Sequence, residues 1–376
     1  MATKTHAGRM EPAGSANASL PKLRELRVRA VRVPMREPHQ TASGAVAESP
    51  LVLTDATFDN GIVGYSMVFT YTPMALTPVA DLIRNFEALV KGEPLAPAEI
   101  EQKLARRFRL LGTQGLVGIA LAAIDMALWD ALARSHATSL VRLLGGIEKP
   151  IPAYGAVGYD GVERSAHVAE DWAKRGFTGV KAKIGYPTVQ EDVAVIRAIK
   201  LAVGEGVAIM VDYNQSLTPV EAVQRMRVLD GEGLTWVEEP TLAHDYVGHA
   251  LVAREAATPI QCGENWWGTL DMQHALDAHA SDYVMPDVMK IGGVTGWLRA
   301  MALAQTRGIR MSNHLWPEIS AQLLCVTPTA HWLEYADWWN PVVAEPLVIE
   351  NGLANVNGSM GSGVAWNERA VERFAA

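Results

Sequence analysis

Three carboxylates, two lysines and a histidine–aspartate pair each stand at the end of a short apolar run. In chain order the ends read Lys181-Ala182-Lys183, Asp212-Tyr213-Asn214, Glu238-Glu239-Pro240, Glu264-Asn265, Asp287, His314 and Glu334. Asp212, Glu238 and Glu264 follow one another on successive runs. Three hard oxygen ligands converging on one point suit an octahedral divalent cation that keeps positions open for substrate, so Mg²⁺ is favoured. Glu239 adjoins Glu238 and should face the other way, supporting the site from behind. Asn214 shares a face with Asp212 and is a candidate substrate contact.

Lys181 and Lys183 are two apart on a strand, so both ammonium groups project from one face. Two close cations disfavour each other's charged form, which would draw a lysine from ~10.4 toward the 7–8 useful to a general base. Asp287 and His314 end adjacent strands. An aspartate against one ring nitrogen fixes the tautomer and leaves the other nitrogen to take or give a proton. Glu334 ends the last strand, and a carboxylic acid kept neutral there would donate to an oxygen that gains charge.

The apolar runs recur every ~25 residues and alternate with helical patterns, the rhythm of βα units closing into a barrel whose catalytic groups sit at strand C-termini. The reading is an α/β fold: a modified TIM barrel, (β/α)7β, with an N-terminal α+β capping domain completed by the C-terminal tail. Residues 1–20 read as a flexible leader, 21–146 as the capping domain, 147–340 as the barrel and 341–376 as a tail packing on the cap. Within the cap, residues 23–34 alternate as a strand that Pro34 ends or edges. Residues 38–50 read as a loop, and 51–58 with 62–69 as a hairpin about Asp59-Asn60-Gly61. Helical patterns follow at 79–89, 97–110 and 115–133.

With 376 residues, 49% of them hydrophobic, the chain can bury two cores. Its net charge of −8 and the lack of a Lys/Arg block with aromatics argue against a nucleic-acid partner. No membrane partner is expected, as no apolar run approaches the ~20 residues of a span. Cys262 and Cys325 alone imply no disulfide framework, so a reducing, cytoplasmic setting is expected.

Together these residues resemble the enolase superfamily, in particular its mandelate racemase subgroup. The Lys-x-Lys, the three metal carboxylates and the His314/Asp287 dyad match position by position. The stretches 209–216 (IMVDYNQS), 289–297 (MKIGGVTGW) and 327–334 (TPTAHWLE) extend the similarity along nearly the whole chain after the leader. The resemblance implies one Mg²⁺ and a homo-oligomer. It also implies abstraction of the α-proton of a 2-hydroxy carboxylate through an enediolate, with Lys183 and His314 as opposed bases of a racemase or epimerase. Lys181 would bind the substrate and lower the pKa of Lys183, and Glu334 would donate to the substrate carboxylate. The alternative is an acid-sugar dehydratase giving a 2-keto-3-deoxy acid with the same residues. Departures gather around the substrate. A valine-rich lid is replaced by one carrying His39 and Ser43, Ala156 stands for a serine and Ala336 for a leucine. Trp267, Trp316, Trp338 and Trp339 add aromatic bulk near the mouth or tail. With His39 and Ser43, Tyr71 is a candidate substrate contact.

Overall fold

A computed structural model describes residues 20–41, 44–356 and 358–376. The leader, apart from Leu20, and Ser43 of the lid lie outside the described residues.

The capping domain opens on an antiparallel sheet in the order β1-β2-β3, with β1 Leu23–Thr41, β2 Gly44–Phe58 and β3 Val63–Phe69. The Asp59-Asn60-Gly61 turn forms between β2 and β3, with Gly61 at φ +84° and Ile62 N–H donating to Asn60 Oδ1 at 3.1 Å. Of the expected loop at 38–50, the described residues 38–41 and 44–50 lie instead in the paired strands β1 and β2. β1 runs on past Pro34 and pairs His39 with Val46 and Gln40 with Ala45. Pro34 is tolerated because β1 is an edge strand, and a register shift between Pro34 and His39 absorbs the irregularity.

Helices α1 (Leu76–Val90), α2 (Pro97–Arg107), α3 (Gly115–Ser135) and α4 (Leu140–Leu143) complete the cap. α3 is long and apolar enough to cross a membrane by length and composition, a feature the sequence reading passed over. It is a core helix: it lies against β3 so closely that a Cβ on Gly64 would meet Ala127 O at 2.0 Å. It also buries Asp125 and Asp130, each bonded to another element.

The barrel follows. Strands β4 (Ile151–Val157), β5 (Gly179–Lys183), β6 (Ala208–Asp212), β7 (Val237–Glu238), β8 (Ile260–Cys262), β9 (Tyr283–Val284) and β10 (Arg310–Met311) pair in sequence, all parallel. β11 (Leu333–Tyr335) pairs back onto β4 and closes the ring. Seven helices intervene: α5 (Gly161–Lys174), α6 (Val189–Val203), α7 (Pro219–Leu229), α8 (Tyr246–Glu255), α9 (Gly268–Asp277), α10 (Gly293–Arg307) and α11 (Pro317–Val326). Capping boxes Thr188/Glu191 and Thr218/Glu221 start α6 and α7 sharply, fixing the loops that leave β5 and β6. Buried Asp192 at the start of α6 ties those loops together. It accepts from Gly185 N–H and Tyr186 N–H at 2.9 Å, from the Tyr213 hydroxyl at 2.9 Å and from Arg225 at 2.6 Å.

The tail contributes β12 (Ile349–Glu350), β13 (Leu353–Ala354) and α12 (Glu368–Arg373). β13 pairs antiparallel with β4, and beyond it the chain reaches the cap. Ser362 N–H donates to Asp130 at 2.6 Å, Trp366 Nε1 to Asp55 at 2.6 Å, and Arg32 N–H to Phe374 O at 2.9 Å.

Asp125 stitches cap to barrel, accepting from the backbone N–H and hydroxyl of Thr295 in α10 at 3.0 and 2.5 Å. Burial pushes this carboxyl from 3.8 up to about 7, against the Thr295 bonds, which favour its charged form. The folded chain therefore holds a proton that the unfolded chain releases. The group's contribution is complete in acid and is lost as pH rises through about 7. Asp125→Asn, which keeps an acceptor for Thr295, should gain roughly 1–3 kcal/mol relative to wild type between about pH 5 and about pH 8. Urea unfolding at both values measures this; a pH-independent difference contradicts it.

Candidate active site

The groups singled out from the sequence meet at the C-terminal mouth of the barrel. Asp212 ends β6, and Asn214, at φ +44°, folds back to donate its N–H to Asp212 Oδ1 at 2.7 Å and its side-chain amide to Oδ2 at 3.0 Å. Glu238 ends β7, its Oε2 held by Trp236 Nε1 at 3.1 Å and Gln261 Nε2 at 3.3 Å. Glu264 lies two residues beyond β8. Gly263 before it sits at φ +143°, where a Cβ would meet the Met285 backbone at 2.9 Å, so only glycine lets the strand deliver Glu264 here. Glu264 Oε1 accepts from Asn265 Nδ2 at 3.1 Å, while the buried Oε2 accepts no hydrogen bond.

Each of the three buried carboxylates offers one oxygen, and these oxygens lie within 4.8 Å of one another. An all-oxygen donor set, ionisable, converging and with an orphaned oxygen on Glu264, fits one hard divalent cation. The triad is placed for one such ion. Burial pushes Glu238 up; Lys181 opposes this, and Asp212, Glu334 and Glu264 add to it.

The lysines enter from β5. Lys181 Nζ is 2.5 Å from Glu238 Oε1, 2.8 Å from Glu334 Oε1 and 4.0 Å from Asp212 Oδ2. Lys183 Nζ pairs with Asp212 Oδ2. Burial lowers both ammonium groups, but the carboxylates facing them outweigh burial and hold both above the ordinary lysine value. The expected lowering of one lysine by the other is thus overridden by the carboxylates facing them.

His314 Nδ1 is 2.7 Å from Asp287 Oδ2, and its Nε2 points into the site, 3.4 Å from Glu264 Oε2. Asp287 is itself fixed through Oδ1, which accepts from Trp316 Nε1 at 2.9 Å and from Met289 N–H at 2.7 Å. Burial lowers His314, and Glu264 with the Asp287 bond reverses this, leaving it raised.

Glu334 differs from the neutral acid expected. Burial raises it, but Lys181, His314 and Lys183 outweigh burial and hold it at about 2. Its Oε2 accepts from Leu315 N–H at 2.9 Å. It is an ionised partner of Lys181.

Above this floor lies a cavity of about 710 Å³ shared with the cap. Lys183, Asn214 and His314 line its base; His39, Phe69, Tyr71, Leu116, Trp267 and Trp338 line its upper wall. The His39 ring lies 4.9 Å from Trp338, and burial together with Lys183 lowers it to about 3, so it is neutral. Trp316 and Trp339 stack on one another at 5.1 Å and are buried outside this lining. Ala156 and Ala336 are absent from the lining too. Sequence reasoning missed the supports of the triad, Trp236, Gln261 and Asn265, and also Lys290, whose Nζ donates to Asn265 Oδ1 at 2.7 Å. The Glu264-Asn265 pairing at a strand end was the available signal for Asn265, and the two-residue spacing of Trp236 from Glu238 was one for Trp236; Gln261 carried none, since it meets Glu238 only through the β7–β8 register.

Comparison with known proteins agrees with this geometry. Residues 23–145 match the mandelate racemase/muconate lactonizing enzyme N-terminal domain, and residues 163–370 match the enolase C-terminal domain-like family. A solved enolase from Bradyrhizobium, complexed with magnesium and mandelic acid, is 40% identical. It superposes with a TM-score of 0.91 over 96% of this chain and 99% of that one. D-galactarolactone cycloisomerase of Agrobacterium fabrum is 30% identical over 93% of this chain and 99% of its own. L-talarate/galactarate dehydratase of Salmonella typhimurium is 31% identical over 69% of this chain and 66% of its own. With both domains matched and the metal triad assembled at the barrel mouth, the chain belongs to the mandelate racemase/muconate lactonizing enzyme family of the enolase superfamily.

Proposed function

We propose that this chain is a Mg²⁺-dependent racemase or epimerase acting at the α-carbon of a 2-hydroxy carboxylate with an aromatic or heteroaromatic distal group. The observation that carries the reading is that two proton-transfer groups meet the triad from opposite ends. Lys183 contacts Asp212, and His314 Nε2 approaches Glu264 at 3.4 Å. The mandelic acid and magnesium bound by the Bradyrhizobium relative support the substrate class and the ion.

Held by Asp212, Glu238 and Glu264, Mg²⁺ would supply Lewis-acid stabilisation of charge developing on the substrate's carboxylate. The chain's residues do the rest. Lys181 pairs with that carboxylate, and Glu334, ionised, orients the ammonium. Asp287 holds the His314 Nδ1–H, so the Nε2 lone pair faces the α-carbon. Lys183, in its neutral form, takes the α-proton of one enantiomer and His314 that of the other; the charge of a bound ion would offset the carboxylates that otherwise hold the lysine's proton. In each direction the opposite residue returns a proton to the enediolate's other face, and the centre inverts.

An acid-sugar dehydratase is the second reading, favoured by the Salmonella typhimurium relative and by neutral, polar His39 on the cavity wall. There the same abstraction is followed by departure of a 3-hydroxyl with His314 as the acid. Formation of a 2-keto acid separates it from inversion.

In D₂O, His314→Asn should still exchange the α-proton of the enantiomer presented to Lys183 while racemisation is lost, and Lys183→Ala should show the converse selectivity. Equal loss of exchange from both enantiomers in both variants would falsify the two-sided arrangement.

Mg²⁺ added to chelated protein should raise Tm, since ligand at ~100 Kd stabilises the folded state by about 2.7 kcal/mol. Glu264→Gln should abolish most of the shift. An unchanged wild-type Tm, with full activity after chelation, overturns the metal assignment.

Neutral His39 offers a hydrogen bond to the distal group, and leaving it unpaired costs ~1–3 kcal/mol. His39→Val should therefore shift the kcat/KM ratio toward mandelate and away from a hydroxylated or heteroaromatic analogue by roughly tenfold. Steady-state kinetics on both substrates decides this, and an unchanged ratio removes His39 from specificity.

A further inference from the structure

Lys290, in the turn after β9, is 8% exposed, and no carboxylate lies within ion-pairing distance of it among the described residues. Its Nζ donates to Asn265 Oδ1 at 2.7 Å and lies 4.7 Å from the centre of the Tyr71 ring. Asn265 Nδ2 donates to Glu264 Oε1 at 3.1 Å and to Glu239 Oε2 at 2.8 Å. An ammonium has no acceptor, so Lys290 permits only one orientation of the Asn265 amide: oxygen toward itself, nitrogen toward the carboxylates. That orientation occupies Glu264 Oε1 and leaves Oε2, which accepts no bond, as the oxygen for the metal. Without the cation the amide can flip and set its oxygen against two carboxylates.

We infer that Lys290 is a positioning residue for the metal site, acting through Asn265 on Glu264, and that the capping domain holds Lys290 in place through the Tyr71 ring. Tyr71 stands at φ +57° just after β3 and packs on Phe69 at 4.7 Å, so the strained turn fixes the ring over the ammonium. The chain Tyr71–Lys290–Asn265–Glu264 thereby couples cap closure to the geometry of one metal ligand.

The test is Mn²⁺ affinity of the full-length protein, read by electron paramagnetic resonance of free Mn²⁺, which takes the same hard oxygen sites. Lys290→Met should weaken binding by about 10–100-fold, as loss of an outer partner of a metal ligand does. Lys290→Arg, still a cation that only donates, should restore affinity to within roughly threefold of wild type. Asn265→Ala should weaken binding alone but add little to Lys290→Met, because both break one chain. Tyr71→Leu, at a half-exposed position that tolerates change, should weaken binding several-fold and keeps the test open if Lys290→Met does not fold. A Lys290→Met protein that binds Mn²⁺ like wild type, with only Tm lowered, overturns the inference in favour of a plain interdomain strut. Multiplying losses for the Lys290 and Asn265 variants overturn it too. A wild type that binds no Mn²⁺ overturns the metal assignment and this inference with it.

Discussion

Three carboxylates that share buried space must be compensated, and much of the barrel mouth follows from that requirement. At ~4 Å and an effective dielectric near 20, each pair of like charges costs about 4 kcal/mol. The three pairs among Asp212, Glu238 and Glu264 thus weigh on the order of 10 kcal/mol, comparable with the whole stability of a domain. The fold meets the cost in two ways. Neutral donors pin the carboxylates: Asn214 holds both oxygens of Asp212, Trp236 and Gln261 hold Oε2 of Glu238, and Asn265 holds Oε1 of Glu264. Lys181 and Lys183 on the neighbouring strand meet Glu238 Oε1 and Asp212 Oδ2, and a divalent ion held by the triad can supply further positive charge.

The same requirement explains why the scaffold is tied so closely around β5 and β6. Lysines that meet at Asp212 must not drift, and a small displacement of a charge pair changes its energy steeply. Asp192 binds the loop after Lys183 to Tyr213 beside Asp212, so the cation strand and the first carboxylate strand are one rigid unit. On the far side, Trp316 and Met289 fix Asp287 and through it His314. The cap is fastened from several directions. Asp125 reaches α10, Asp130 and Asp55 receive the tail, and β13 returns to β4.

What the sequence revealed and what it hid divide along physical lines. The barrel was legible because buried parallel strands are short apolar runs and the chemistry stands just beyond them. Glu264, Asp287 and His314 lie past the ends of β8, β9 and β10, yet the run-then-polar pattern still marks them. The arm from Pro38 was read as a loop because Pro, Gly and Ser are local breakers; the edge position of β1 overrides them. The charge of Glu334 and of the two lysines was not legible. It depends on the sum of neighbours brought from several strands, a sum no spacing rule contains. Lys290 was hidden for a related reason: a lysine in a turn reads as solvated until its partners, from β3 and β8, are known.

The charge inventory of the cavity bears on which reaction the site suits. Among the described residues lining it, the basic groups are Lys183 and Lys290, together with His314 on the floor. Lys183 faces Asp212, and Lys290 is engaged by Asn265 and the Tyr71 ring. The upper wall is aromatic and aliphatic, and His39, at about 3, adds a hydrogen bond but no charge. A substrate with a second carboxylate at its far end would bury an anion with no free cation to meet it, a cost of several kcal/mol unless Lys290 left Asn265. A planar distal group, stacked between Phe69, Trp267 and Trp338 and touching His39 at its edge, meets no such cost. This charge inventory supports the proposed aryl 2-hydroxy acid over a dicarboxylic sugar acid. In the proposed substrate the α-carbon bears the ring directly and there is no 3-hydroxyl to expel, so on that proposal the proton removed by one base is returned by the other.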